Sequence, residues 1–283
     1  MEKVTIIIPA YNEVENILNM HENLNKLCNS FEVIVVDDGS TDNTYELLKK
    51  TKVTIIRHPY NKGYGASLKT GIRHAQNDIV VFMDADSPHN PNDIYNLLGY
   101  MGEYDMVVGE RSKASHISLF RKPGKMFLSI IANYLMGTKI PDLNSGFRAA
   151  KKEIIEKFMH ILPNSFSFSA TITLAVIKGG FNVKYVPITT YKRKGKSMVN
   201  PIRDGLRSAL LIIRIIVLFN PLKVFFPISF LLFMLGVGYL IFSLIFLGFN
   251  IPSGVILLII SSIILFFFGI LADQISAFRM EGK

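Results

Sequence analysis

The first apolar block, Val4-Thr5-Ile6-Ile7-Ile8, is short and nearly free of polar residues, as a strand covered on both faces requires. It runs into Pro9-Ala10-Tyr11-Asn12-Glu13, after which Val14, Ile17, Leu18, Leu24 and Leu27 recur near helical spacing. A second block over 31–36 ends in Asp37-Asp38-Gly39-Ser40-Thr41-Asp42, where Gly39 permits a tight turn and Ser40 or Thr41 can cap a helix beginning around Asn43. The alternation continues with a strand over 52–57, a helix over 64–76, a strand over 78–84 and another strand over 105–109. This order predicts an α/β domain with a mainly parallel, doubly covered sheet, whose ligands bind at the carboxyl ends of the strands.

The pattern changes beyond residue 200. Over 200–220, Ile202, Leu206, Leu210, Ile213 and Val217 can share one helical face while Arg203, Arg207 and Arg214 lie off it, which predicts an interfacial helix. From Val224 to Ala272 there is no charged residue, and Gly248-Phe249-Asn250-Ile251-Pro252-Ser253-Gly254 splits the stretch into spans at about 224–247 and 255–272. At ~1.5 Å per residue each is long enough for a hydrocarbon core of ~30 Å, allowing for tilt. The expected organisation is therefore an α/β domain over 1–198, an amphipathic region over 199–222 and a two-span hairpin over 223–283.

Charge then orients the chain. Arg203, Arg207, Arg214 and Lys223 precede the first span, Arg279 and Lys283 follow the second, and the connecting turn has no charge. The positive-inside rule places the α/β domain and both termini in the cytoplasm of an integral membrane protein. The net charge of +9 suits work against an anionic lipid surface. Basic residues are scattered or adjacent to the membrane and no nucleic-acid motif is present, so nucleic acid is not an expected partner. The lone Cys28 allows no internal disulfide, and a packed thiol is expected there.

Chemistry enters at Asp84-Ala85-Asp86, where two carboxylates follow the end of a buried strand. Oxygen ligands of this kind suit Mg²⁺ or Mn²⁺, and a site with few protein ligands completes its shell with water and substrate phosphates. A phosphorylated substrate is implied. His58, His74, His116 and His160 have no mutual ligand spacing, so neither zinc nor a nucleophilic triad is suggested.

Together, Ile-Pro-Ala-Tyr-Asn-Glu at 8–13, Val-Asp-Asp-Gly-Ser at 36–40, Asn-Lys-Gly-Tyr-Gly-Ala at 61–66, Asp-Ala-Asp at 84–86 and Ser-Gly-Phe-Arg at 145–148 resemble the family 2 inverting glycosyltransferases of GT-A fold. Over roughly the first 200 residues the chain is most similar to the dolichyl- or polyprenyl-phosphate sugar synthases. The resemblance implies a metal-dependent enzyme that transfers a sugar from a nucleotide diphosphate sugar to a polyprenyl monophosphate. GDP-mannose is the favoured donor, with UDP-glucose or another UDP-sugar as the alternative. A phosphate monoester with a second pKa of about 6 is already ionised at neutral pH, so no protein base is obligatory. Single displacement would invert the anomeric centre.

By resemblance, Pro9, Tyr11, Glu13, Val36 and Asp38 line the nucleoside pocket, with Asp38 accepting from base or ribose. Tyr11 and Val36 are open to a plain packing role. Lys62 and Gly63 match the motif nearest the nucleotide, although a solvated lysine is the other reading of Lys62. Asp84, Ala85 and Asp86 take the donor diphosphate. The metal falls to Asp84 and Asp86, and His89 after Ser87-Pro88 is either a third contact or an ordinary loop histidine.

Asp86 and Arg111 are the catalytic candidates. For the acceptor phosphate the candidates are Arg111, Arg121, Lys122, Arg148, Arg193 and Lys196. Arg148 could equally brace the fold. In the basic loop the subgroup's usual lysine after Ser197 is Met198, so either Lys196 supplies the charge or contact there is weaker.

The rival functions have weaker support. A processive polysaccharide synthase would carry a Gln-x-x-Arg-Trp segment, and the chain has no tryptophan. A nucleotidyltransferase would open with a glycine-rich phosphate loop, which Pro9 to Glu13 does not form. A membrane-anchored scaffold with a degenerate transferase domain is opposed by the intact Asp38, Asp84 and Asp86. The spans also offer a surface through which copies could associate as a homo-oligomer.

Overall fold

The computed structural model describes residues 3–85, 91–111, 130, 133–134, 137, 140–143, 145–165, 167–188, 214, 217–246, 248 and 251–281. These residues form two units. One comprises Met1–Ile130 with Thr138–Pro201, and the other Ile131–Gly137 with Ile202–Lys283.

The first unit is built on a seven-stranded sheet, β1 (Val4–Ala10), β2 (Glu32–Asp37), β3 (Thr54–Arg57), β4 (Ile79–Phe82), β5 (Met106–Arg111), β6 (Arg148–Lys151) and β7 (Val183–Ile188), in the order β3-β2-β1-β4-β6-β5-β7. β1 is buried at every position and pairs in parallel with β2 on one side and β4 on the other. Strand order therefore reverses direction beside β1, which opens a crevice at the carboxyl ends of β1 and β4. β6 departs from the expected parallel pattern: it runs antiparallel to both β4 and β5, with Phe82 opposite Arg148. An antiparallel strand begins where its neighbour ends. The residues leading into β6 are thus delivered beside the exit of β4.

Helices α1 (Val14–Leu27), α2 (Thr44–Leu48), α3 (Tyr64–His74), α4 (Pro91–Leu98), α5 (Lys152–Phe158) and α6 (Phe168–Lys178) complete this unit. α1 buries Ile17, Leu24 and Leu27 of the expected stripe and adds Met20, while Val14 is only partly buried and Leu18 is exposed. Ser40 and Thr41 do not cap α2. The Asp42 carboxylate accepts from the Thr44 amide at 3.0 Å, while Ser40 is drawn to Asn12. Cys28 ends α1, half-buried against the core, and burial pushes its thiol pKa up despite nearby Lys52.

Strands β6 and β7 and helices α5 and α6 carry no clear periodicity. α6 is buried from Phe168 through Val176, and its Thr171 and Thr173 hydroxyls satisfy themselves on the carbonyls of Ser167 and Ser169, both at 2.9 Å.

In the second unit, α7 (Leu222–Phe246) and α8 (Ser253–Glu281) are long and apolar enough to cross a membrane. α7 begins close to the expected position, whereas α8 continues past Ala272 through Asp273 to Glu281. The two helices pack as an antiparallel pair, with Gly254 near Tyr239, Gly236 near Ile259 and Gly269 near Phe225. Ser229, Gly236 and Ser243 on α7, and Val255, Ser262, Gly269 and Ser276 on α8, are buried at intervals of seven. A seven-residue repeat of small side chains lets two backbones approach along a left-handed seam. Outside that seam large apolar groups face outward, with Phe246 70 % and Leu257 68 % exposed. Such a surface is suited to lipid rather than water.

Pro227 lies inside α7 and has no amide hydrogen for the carbonyl of Lys223 four residues earlier. The Tyr134 hydroxyl donates to that carbonyl at 3.1 Å, and Lys223 Nζ returns a bond to the Tyr134 carbonyl at 3.3 Å. Ile131–Gly137 therefore belongs with the hairpin, although the sequence reading assigned it to the catalytic domain. Of the interfacial helix expected over 200–220, only Arg214 and 217–219 lie among the described helical residues.

Candidate active site

Four parallel or adjacent strand ends converge on one edge of the sheet, and their loops are tied together by short polar side chains. Asn12 adopts a left-handed conformation with φ of 56°. Its side-chain oxygen accepts from the Thr41 amide at 2.8 Å, and its amide donates to Ser40 Oγ at 3.0 Å. The Glu13 amide donates to Thr44 Oγ1 at 2.8 Å, so the loops after β1 and β2 form one piece. Tyr11 projects from it with 41 % exposure, while Pro9 and Val36 are buried within their strands.

Asp38 is the hub of the next layer. Its Oδ1 accepts from His58 Nδ1 at 2.7 Å and the Lys62 amide at 2.9 Å, and its Oδ2 from the Gly63 amide at 2.8 Å. The carboxylate is an acceptor, so Nδ1 carries the proton in this contact. His58 Nε2 lies 2.9 Å from Thr70 Oγ1, which ties the end of β3 to α3. Gly63 has φ of 103°, and a Cβ there would lie 2.4 Å from the Asn164 carbonyl oxygen. That carbonyl caps α3 by accepting from the Gly65 and Ala66 amides. Three of about four lone-pair positions on Asp38 are thus occupied by the protein. Its first role is to shape the loop that carries Lys62, whose side chain is exposed.

Asp84 emerges just beyond β4 with partial exposure, and its Oδ1 accepts from the Tyr64 hydroxyl at 2.8 Å. Close against it is Gly146, where a Cβ would lie 2.1 Å from Asp84 Oδ2 and 2.7 Å from Oδ1. Any larger residue there would displace the carboxylate from this position. Beneath it Arg148 is fully buried, donating to the Ser169 carbonyl and Thr173 Oγ1, both at 2.9 Å, and to the Ser145 carbonyl. Of the two roles open from sequence, this geometry favours the brace. Burial lowers the Arg148 pKa against the opposing influence of Tyr64, Tyr185, Asp142 and Asp84. Burial, reinforced by Asp84, holds the Tyr64 phenol well above its ordinary pKa, so its hydroxyl remains a donor.

Tyr185 on β7 shares this environment, with its hydroxyl buried and lacking a hydrogen-bond partner among the described residues. Burial foremost, then Asp142 and Glu110 against the counteracting Arg148, pushes its pKa up to about 12. A raised folded-state pKa means the phenol proton is held more tightly folded than unfolded, where a tyrosine titrates near ~10. This contribution is complete below the unfolded pKa and is lost as pH rises through about 12. The unfolding midpoint, followed by circular dichroism, is expected to fall steeply over this alkaline range, with Tyr185→Phe flattening the limb. An identical limb in the variant would remove Tyr185 as the cause.

The structure thus brings together Tyr11, Glu13, Asp38, Lys62, Gly63, Asp84 and Ala85 at the loops of one sheet edge. Arg111 is the last residue of β5, which runs parallel to β4 and ends on the same edge. Asp86, His89, Arg121, Lys122, Arg193 and Lys196 lie outside the described residues. Sequence reasoning passed over His58, Tyr64 and Gly146. Tyr64 and Gly146 sit inside the motifs at 61–66 and 145–148, whereas His58 follows the third strand and only the fold brings it to Asp38. Among the described residues no three acidic, histidine or cysteine side chains gather as a metal site; the Asp84 carboxylate by itself is a hard oxygen donor of the kind Mg²⁺ or Mn²⁺ takes together with water and substrate phosphates.

Residues 5–159 match the model of glycosyl transferase family 2. The chain belongs to that family. In this glycosyl transferase, residues 220–278 also match the GtrB C-terminal hairpin, which covers α7 and most of α8. It is 33 % identical over 214 residues to the UDP-N-acetylglucosamine–dolichyl-phosphate N-acetylglucosaminyltransferase of Methanococcus voltae, covering 66 % of this chain and 85 % of that one. It is 30 % identical over 190 residues to the undecaprenyl-phosphate 4-deoxy-4-formamido-L-arabinose transferase of Yersinia enterocolitica, covering 60 % of this chain and 58 % of the relative.

Among solved structures, glucosyl-3-phosphoglycerate synthase from Mycobacterium tuberculosis superimposes with a TM-score of 0.61 at 20 % identity, covering 76 % of this chain and 79 % of that one. That structure contains Mn²⁺ and uridine diphosphate. At this identity the likeness establishes the GT-A fold.

Proposed function

We propose that this family 2 glycosyl transferase moves a sugar from a nucleotide diphosphate sugar to a polyprenyl monophosphate, with inversion, at a membrane surface. The observation that carries the reading is the union in one chain of a transferase sheet edge presenting Asp84 and an apolar hairpin able to enter lipid. Relatives named for dolichyl- and undecaprenyl-phosphate acceptors support it. GDP-mannose is the donor favoured by the motif resemblance. UDP-sugars are the alternative, and the Methanococcus voltae relative is named for one.

In this reading the joined loops after β1 and β2 receive the nucleoside. Tyr11 supplies an exposed ring, Glu13 lies at the loop's end, and Asp38 uses its remaining acceptor capacity toward base or ribose while holding Lys62 and Gly63 in place. Asp84 and Asp86, with His89 as a possible third contact, would hold Mg²⁺ or Mn²⁺, which when bound neutralises charge on the departing nucleoside diphosphate. Arg111, at the end of β5, and Arg121, Lys122, Arg193 and Lys196 supply cations for the acceptor phosphate. The acceptor arrives ionised, so these residues orient an oxygen nucleophile rather than remove a proton. The hairpin would keep the domain at the cytoplasmic face, where the lipid phosphate lies.

The test incubates the purified full chain in lipid nanodiscs with a polyprenyl phosphate and radiolabelled GDP-mannose, UDP-glucose or UDP-N-acetylglucosamine. Label from one donor is expected in the organic phase, sensitive to mild acid as a glycosyl phosphate should be. Transfer only to a water-soluble acceptor would overturn the lipid reading, and absence of transfer from every donor would favour the degenerate scaffold.

A further inference from the structure

A ligating carboxylate is useful only if its oxygens point where the cation will sit. The terminal torsion of aspartate is broad, so a carboxylate at a strand exit samples many orientations unless neighbours restrict it. Among the described residues, Tyr64 and Gly146 both restrict Asp84. Tyr64, the first residue of α3, donates its hydroxyl to Oδ1 at 2.8 Å. Gly146 lies against the carboxylate too, so close that a methyl group there would overlap both oxygens, Oδ2 most of all. Both constraints are themselves fixed. α3 is capped by the Asn164 carbonyl, and Gly146 is held between Ser145 and β6, whose Arg148 is anchored to Ser169, Thr173 and Ser145.

We propose that Tyr64 is a positioning residue for the donor site, fixing one orientation of the Asp84 carboxylate so that it meets the cation-bound diphosphate without rearrangement. This rests on the proposed reading of Asp84 as a cation-binding carboxylate. Hydrogen bonds to ligating groups orient them and tune their basicity, and loss of such a partner typically weakens metal affinity by ~10–100-fold. Tyr64 does not touch the sugar or either phosphate in this assignment. Its effect passes through Asp84, and Gly146 provides the wall against which the hydroxyl holds the carboxylate.

The experiment measures binding without transfer. Mn²⁺ is titrated into the full chain in nanodiscs with saturating UDP or GDP, whichever binds, and free Mn²⁺ is read from its electron paramagnetic resonance signal. Asp84→Asn is expected to abolish the nucleotide-dependent Mn²⁺ site. Tyr64→Phe, which keeps the ring and removes only the hydroxyl, is expected to weaken it at least about tenfold, with nucleotide affinity in EDTA and the thermal midpoint unchanged. Gly146→Ala crowds the same carboxylate and is expected to weaken Mn²⁺ comparably, which provides a second reading if Tyr64→Phe folds poorly.

If Asp84→Asn loses Mn²⁺ while Tyr64→Phe and Gly146→Ala bind it within twofold of the parent, the positioning role is overturned and the cation reading stands. If Asp84→Asn binds Mn²⁺ like the parent, the cation reading fails and takes the positioning role with it.

Discussion

Replacing Asp84 by Asn is expected to lower sugar transfer by roughly 10²–10³-fold, the range seen when one element of charge stabilisation is removed from a preorganised site, while the protein stays folded. Asparagine retains an oxygen that can accept from Tyr64, and it is close enough in shape to fit against Gly146. What it lacks is the negative charge that a cation requires. The defect should appear in kcat/KM for the donor, with far-ultraviolet circular dichroism unchanged, and EDTA should reproduce it in the parent protein. Full turnover in chelator, or by the variant, would eliminate the cation-assisted departure of the nucleoside diphosphate.

The second large effect concerns stability. Arg148 has no exposed surface, and its guanidinium is spent on two backbone carbonyls and a threonine hydroxyl. Substitution by Met fills much of the volume but takes the donor from the Ser145 carbonyl, leaves the Ser169 carbonyl with Thr173 alone, and removes the buried cation near Asp84 and Asp142. Loss of one side of a buried charged network costs about 3 kcal/mol or more, equivalent to a midpoint lowered by roughly 6–12 °C in a unit of this size. Thermal unfolding of the full chain measures it. If Arg148 instead clamped the acceptor phosphate, Arg148→Met would keep its midpoint and raise only KM for the polyprenyl phosphate.

Much of the N-terminal half was legible because each strand there is a continuous apolar run and each connecting helix carries its own stripe. Ile6 to Ile8, Val33 to Val36 and Val80 to Phe82 are buried as their composition demands. The acidic and glycine-bearing segments fall at the strand ends, where a parallel sheet gathers them.

Legibility fails after Arg111. Arg148-Ala149-Ala150-Lys151 has neither length nor β-branched residues, and becomes a central strand only because β4 and β5 flank it. α6 is buried nearly all round, so it has no polar face to betray its period. Site contacts divide in the same way. The residue types at Asp38 and Asp84 announce chemistry, but the partners that orient them, His58 and Tyr64, depend on which strand ends become neighbours. Arg148 looks from sequence like a phosphate ligand, and only its depth separates that role from a brace.

The open carbonyl at Lys223 bears on how such enzymes can be divided. Pro227 removes its helical donor, and the replacement comes from Tyr134, 89 residues earlier in the chain. The hairpin is consequently not a detachable anchor appended to a finished catalyst. A chain cut after Pro201 would keep Ile131–Gly137 but lose the helices with which that segment belongs. A hairpin grafted onto another transferase would leave behind the Tyr134 hydroxyl that donates to the start of its first apolar helix. Exchange of membrane anchors between relatives would therefore proceed most readily when the short internal segment travels with the C-terminal helices, so that two stretches far apart in the gene are inherited as one part.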